Sequence, residues 1–383
     1  QVVEGGGDGS IVYAVANAGY HFVEWSDATT TNPRQDLNTQ NDITVTATFA
    51  TESWPVLVKD IKTGISNPGL NGFTDINGIS YFVADDGING QELWKSDGTP
   101  EGTVMVKDIN PGVAGSDIQS SSNIYGNLYF INTGGVFYFM AINGTNGAEL
   151  WKSNGTEGGT VMVKDINVGA GDSAPQEIVI INNILYFTAD DGTNGMELWK
   201  SDGTEGGTVM IKDIYTGVNP SFPNKLTEVN GSLYFFIDDA INGFELWKSD
   251  GTTTGTILVA SPHPGVGSSL PIQYVNNVNG TFFFTFNNSN LTELWKSDGT
   301  EGGTVLVKSI SRGPTFCSYG LMANLSNVLY FQVDDGIHGC ELWKSDGTAS
   351  GTEMVKDIYP GINSSEAYGV IVMNGVLYFS AGD

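Results

Sequence analysis

Histidine and cysteine are scarce, with three and two copies in 383 residues. His21, His263 and His338 stand far apart, and no His-Glu-x-x-His, Gly-x-Ser-x-Gly, phosphate-binding loop or Cys-x-x-Cys occurs. The common signatures of zinc hydrolases, serine hydrolases, nucleotide sites and thiol redox chemistry are therefore missing. Bases are also few: 16 Lys+Arg against 43 Asp+Glu give a net charge of -27, which repels a phosphate backbone. Twelve of the 16 recur in two slots, Lys-Ser-Asp/Asn and Lys-Asp-Ile or a variant, leaving only Arg34, Lys62, Lys225 and Arg312 outside them. No basic patch forms, and no nucleic-acid partner is expected. No run of 18 apolar residues is present, so no membrane-spanning helix is expected. The sequence opens at Gln1 inside a strand-like pattern and closes inside a repeat, which reads as a piece of a longer chain.

Glycine is abundant, at 51 residues, and aromatics reach 11% while charged residues stay at 15%. That balance suits many short strands joined by tight turns. Self-similarity is strong. Glu-Leu-Trp ends on Trp94, Trp151, Trp199, Trp247, Trp295 and Trp343, in steps of 57, 48, 48, 48 and 48. Val-Lys-Asp-Ile and its variants begin at Val58, Val106, Val163, Ile211, Val259, Val307 and Val355, and aromatic pairs recur at Tyr81, Tyr129, Tyr186, Tyr234, Phe283, Tyr330 and Tyr378. One repeat reads as four strands, Glu177 to Ile181, Ile184 to Ala189, Glu197 to Ser201 and Thr208 to Ile214. The first two are joined by Asn182-Asn183, where sister repeats carry Asn77-Gly78, Asn230-Gly231 and Asn374-Gly375, dipeptides that accept two positive φ angles. A lone meander of this size cannot bury both faces, so Tyr186, Phe187, Leu198 and Trp199 must pack against neighbouring repeats. The expected fold is all-β: a seven-bladed β-propeller of four-stranded blades over residues 54–383 with the seventh repeat truncated. The orphan strand Trp54 to Ile61 is expected to close the ring. Residues 1–53 lack the markers and read as a separate small β module, incomplete at its N-terminus, ending on the alternating segment Ile43 to Phe49.

These residues resemble two bacterial families. Residues 54–383 resemble the ELWxxDGT repeat proteins, whose naming motif appears as Glu197 to Thr204 and its sisters. Departures are local: Asn154 replaces the turn Asp, Ser261 replaces a strand Asp, and Asn287 to Leu291 replace an Asp-Asp-Gly loop. Residues 1–50 resemble the divergent InlB B-repeat module through Gly19 to Asp27 and Thr46 to Ala50. The resemblance implies a secreted or cell-surface bacterial protein, often one exported by type IX secretion. It also implies a non-catalytic, adhesin-like role, with other domains of the same long chain, surface or secretion-system proteins or glycans as partners. A glycan-binding lectin-like propeller is the alternative, and a polysaccharide hydrolase or lyase ranks below both.

Asp202-Gly203-Thr204 recurs at Asp97, Asp250, Asp298 and Asp346, and such repetition points to a turn built for structure. The Asp-rich loops offer hard oxygens at a spacing unlike an EF-hand. They supply the candidate Ca²⁺ sets Asp85, Asp86, Asn89, Glu92; Asp190, Asp191, Asn194, Glu197; Asp238, Asp239, Asn242, Glu245; and Asp334, Asp335, Glu341, with His338 in the Asn slot. No other cofactor is expected. Cys317 and Cys340 fall in one repeat and are a candidate disulfide, with two free thiols as the other reading. Recognition is expected where one repeat departs from its sisters. The three departures are the nine-residue excess of the second repeat around Thr133 to Ile142, with the aromatics Phe137, Tyr138 and Phe139 as a sugar or protein platform or, the preferred reading, a hairpin extension packed on its own unit, the Pro262 to Gly265 loop, and Asn287 to Leu291.

Overall fold

The computed structural model describes residues 2–3, 14, 20–31, 43–51, 57–64, 67–118, 130–238, 243–264, 272–287, 290–313, 317 and 322–383. Every regular element among them is a strand. The chain divides into two compact bodies, residues 1–60 and 61–383. In the first, Tyr20–Trp25 pairs antiparallel with Ala47–Thr51, and Val2–Val3 pairs with Ile43–Thr44, so the alternating segment is two short strands. Trp25 is buried and donates its indole N–H to Thr31 O at 3.0 Å.

The second body contains six four-stranded antiparallel meanders among the described residues, spanning 71–107, 131–164, 176–212, 224–260, 272–311 and 322–356, here units one to six. A two-stranded hairpin, Tyr368–Met373 with Val376–Ser380, follows them. Strand order within each sheet follows the chain. In unit three the strands are Gln176–Ile181, Ile184–Asp190, Met196–Ser201 and Val209–Lys212. The first turn of each unit is fixed by its dipeptide: Asn182 and Asn183 sit at φ 51° and 64°, Asn77-Gly78 at 56° and 81°. Asn and Gly are the residues for which that left-handed backbone is least costly.

From unit one to unit six, the facing sides of successive sheets cover one another. Leu150 and Val163 of unit two pack with Leu185, Phe187 and Trp199 of unit three. Leu198 and Ile211 of unit three then pack with Leu233 and Phe235 of unit four. The same interleaving joins units one and two, four and five, and five and six. Each third strand thus offers its Trp to the preceding unit and its Leu to the next, the consequence of a two-residue side-chain period. First strands of successive units also touch. The Asn276 amide donates to Met322 O at 3.0 Å and the Asn277 amide to Glu228 O at 3.1 Å, tying unit five to units six and four.

Unit two corrects the sequence reading. Phe137, Tyr138 and Phe139 are not a loop but the second strand, Val136–Ala141, and are 0%, 5% and 0% exposed. Tyr138 pairs opposite Lys152 as Tyr186 pairs opposite Lys200. Gly134 and Gly135, at φ 60° and 83°, form the unit's two-residue turn. The surplus residues therefore precede Phe130, and residues 119–129 lie outside the described set.

Candidate functional site

The polar residues that repeat in the sequence meet one another. Around Asp202, Oδ1 accepts from Thr204 N at 2.8 Å and Thr204 Oγ1 at 2.7 Å, while Thr204 Oγ1 accepts from Gly207 N at 3.0 Å. Ser201 Oγ, 2.7 Å from Thr208 Oγ1, accepts from Gly203 N. A Cβ at Gly207 would lie 2.0 Å from Asp202 Oδ1, so the turn requires glycine there. These donors hold the Asp202 carboxyl below its usual range, the Thr204 hydroxyl foremost. The arrangement recurs around Asp97, Asp250, Asp298 and Asp346 and, with an amide, around Asn154.

From unit two to unit six, each turn is gripped by the unit before it. Lys95, Lys152, Lys200, Lys248 and Lys296 donate to the carbonyls of Gly155, Gly203, Gly251, Gly299 and Gly347, at 2.7–2.9 Å. Lys107, Lys164 and Lys212 donate at 2.8 Å to Thr160 O, Thr208 O and Thr256 O. The hydroxyls of Tyr138, Tyr186 and Tyr234 press on Gly203, Gly251 and Gly299, leaving no room for a Cβ. Lys212 also lies 5.5 Å from the centre of the Trp247 ring. Sequence reading located these residues without locating their partners, because each bond spans 44 to 60 residues.

The Glu of Glu-Leu-Trp points inward. Glu197 Oε2 accepts from Ile214 N at 3.1 Å and Ser221 Oγ at 2.6 Å, and Oε1 from Ser221 N at 2.9 Å. Glu92, Glu149 and Glu341 are held the same way by Ile109, Ile166, and Ile358 with Ser365. All four are fully buried. Burial pushes Glu92 and Glu197 up to about 7 and raises Glu149. The serine partners were legible in principle, since Ser173, Ser221 and Ser365 each stand 24 residues after the Glu they serve.

The calcium sets do not assemble. Among the described residues no three His, Cys, Asp or Glu groups converge on one point. Glu92, Glu197 and Glu341 are occupied in the core as above, and Glu245 instead accepts from Trp247 Nε1 at 3.0 Å. The loop carboxylates are turned on their own backbone. Asp86 Oδ1 accepts from Ile88 N and Asn89 N and Oδ2 from the Asn89 amide, a pattern repeated by Asp191 with Thr193 and Asn194. Asp85 accepts from Gly87 N and pairs with Lys62, Asp190 accepts from Gly192 N, and Asp334 from Gly336 N. Asp335 takes Ile337 N, His338 N and His338 Nδ1. Asp238 ends the strand Ser232–Asp238, and Asp239 and Asn242 lie outside the described residues. An Asp-x-x-Asn turn satisfies its own amides before it can gather a cation's coordination shell.

Cys317 and Cys340 are joined by a disulfide with a Cα–Cα distance of 5.5 Å. Cys317 stands 24 residues after Glu293, in the sequence slot that is serine after units one, two, three, four and six, and the bond ties the segment entering unit six to that unit's third strand. The fifth repeat's departure brings His263 Nε2 to 2.9 Å from Glu293 Oε2, the oxygen that also accepts from Trp295 Nε1 at 2.9 Å. Phe286 and Trp295 meet the imidazole edge-on. In this unit His263 stands in for the Glu's usual partners. Gly265 and the pair Asn288 and Ser289 lie outside the described residues.

Residues 2–53 match the family described as the Divergent InlB B-repeat domain. No curated protein matches the chain. Among solved structures, a puromycin hydrolase S511A mutant complexed with PGG is 14% identical with a TM-score of 0.41, covering 87% of this chain and 52% of its own. A puromycin-hydrolyzing peptidase of Mycobacterium tuberculosis is 10% identical with a TM-score of 0.44, covering 85% and 55%. A nidogen/laminin complex is 14% identical with a TM-score of 0.34, covering 74% and 90%. The chain spans about half the length of the first two. No functional assignment follows from likeness of this degree.

Proposed function

We propose that residues 54–383, with the seventh repeat truncated, belong to a ring of seven units, a β-propeller of the ELWxxDGT type. We infer that it serves as a non-catalytic scaffold in a larger secreted or surface-borne bacterial protein, presenting its loops to partners. The observation that carries this reading is the destination of the repeated polar groups. Lysine, tyrosine, serine and glutamate side chains that could have formed one site per unit are spent on holding a unit together or gripping the next. Touching first strands in successive units support a radial arrangement in which those strands line an axis. The InlB B-repeat-like module at the N-terminus supports an extracellular setting.

The lectin alternative requires aromatic platforms on exposed loops, and here Tyr81, Tyr138, Tyr186 and Tyr234 are buried between units. A glycan array probed with the labelled chain separates the readings. No saturable binding to any sugar is expected, nor release of reducing ends from bound polysaccharide. Saturable sugar binding, or hydrolysis lost in Glu293→Gln, would replace the scaffold reading with a lectin or a hydrolase.

A further inference from the structure

One set of repeated side chains is not consumed by packing. In an antiparallel meander the Asn-Gly and Asp-Gly-Thr turns lie at one end of each sheet, and the Asp-rich loop and the linker to the next unit lie at the other. At this second end, loop and linker are pressed together: a Cβ at Gly90 would fall 2.5 Å from Gly115 N, and one at Gly195 2.9 Å from the Pro220 backbone. Linkers also abut the loop of the following unit, as Asn167 abuts Gly192 and Asn110 abuts Gly144. The result is a continuous surface. From it project Ile88, Val113, Val168, Val218, Ile337 and Ile362, each between 65% and 85% exposed. The fourth strands leave Val209, Ile257 and Val305 37% to 44% exposed, but the tips stand further out in water, bury little and stabilise little. Repeated aliphatic groups standing in water are a feature of docking surfaces.

The charge of this end selects the partner. Both lysine series donate to the Asp-Gly-Thr hairpins of the next unit, drawing most of the body's positive charge away from the loops. Beside the tips stand Asp86 and Asp191, held below the usual range by amide donors that outweigh their burial, and Asp335, held low by the His338 imidazole and by backbone amides. The nearby bases are few: Lys62, already paired with Asp85, and His338, already paired with Asp335, together with Lys225 and Arg312. Resting on the scaffold reading above, we propose that this loop end is the recognition face and that its occupant is a basic protein segment in which Lys or Arg alternates with aliphatic residues. Cationic groups would meet the loop carboxylates, and apolar groups would cover the tips at several units at once, which raises avidity without new contacts.

The test uses the full chain and a variant carrying Ile88→Asn, Val113→Asn, Val218→Asn, Ile337→Asn and Ile362→Asn, which leaves charge and core untouched. The probes are a peptide of alternating Lys and Leu, oligolysine of the same charge, and phosphatidylcholine vesicles. The wild type is expected to bind the Lys-Leu peptide, and the variant about tenfold or more weakly, because several buried aliphatic groups are lost. Oligolysine binding and the melting temperature should not change. Equal affinity of wild type and variant for the Lys-Leu peptide, or no binding by the wild type, overturns the proposal. Vesicle binding lost in the variant overturns it in favour of a lipid surface. Sugar binding on the array with intact peptide binding would sink the scaffold reading alone.

Discussion

Phe137→Ala is expected to lower the unfolding free energy by about 3–5 kcal/mol, the range for truncating a buried aromatic. The ring is fully buried and lies 4.6 Å from Tyr81, 5.0 Å from Phe130 and 6.0 Å from Phe139, centre to centre. Tyr81 belongs to unit one, so the cavity would open at the interface between two units and not within one. Removing residues 133–142 altogether should prevent unit two from folding, since the excision takes the whole of Val136–Ala141, the strand that pairs with both Ile131–Thr133 and Glu149–Ser153. Trp199→Ala, in the equivalent interface between units two and three, should cost about as much. Denaturant titration of the three variants by tryptophan fluorescence and far-UV circular dichroism is the check. Wild-type stability for the excision would return these residues to the role of a dispensable insertion.

A second large effect is expected from pH. The folded-state pKa of Glu92 and Glu197 is about 7 and that of Glu149 is raised, each because burial disfavours the carboxylate. A carboxyl raised on folding contributes stability that is complete below its unfolded value, about 4.5, and is lost as pH climbs through the folded value. The turn aspartates work the other way, because Asp202 and its sisters are held low by donors and lose that contribution only in stronger acid. Between these limits the chain should be most stable in mildly acidic buffer and should soften steadily from pH 5 to pH 8. Self-repulsion of a net charge of -27 adds in the same direction. Melting temperatures across that range give the slope, and Glu197→Gln should flatten it. A flat wild-type profile, or an equal slope in the variant, would remove the buried glutamates as its cause.

The period, the two-residue turns and the all-β architecture were legible because each rests on local chemistry. Asn-Gly pairs specify their turns, and the alternation in Glu-Leu-Trp-Lys-Ser specifies a strand. The same alternation puts Glu92 on the face of Trp94, toward the core, yet a carboxylate beside an Asp-rich loop reads more readily as a calcium ligand. Unit two was misread because Tyr129-Phe130 keeps the spacing to the preceding Val-Lys-Asp-Ile marker. Tyr138 keeps the spacing to Trp151 that Tyr186 keeps to Trp199, and strand pairing obeys the second rule. The staples from Lys200 to Gly251 and its sisters could not be read from local sequence, since they depend on how one sheet stacks on the next.

Those staples carry the central claim, that the repeated residues bind each unit to its successor. Native-state hydrogen exchange on Lys200→Met tests it most directly, because the lost bond links unit three to the hairpin of unit four. Amides of that hairpin, Gly251 N and Thr252 N among them, should exchange about tenfold faster, the equivalent of one net hydrogen bond, together with those of the third strand of unit three. Faster exchange confined to unit three, with the unit-four hairpin as protected as in the wild type, would contradict the account.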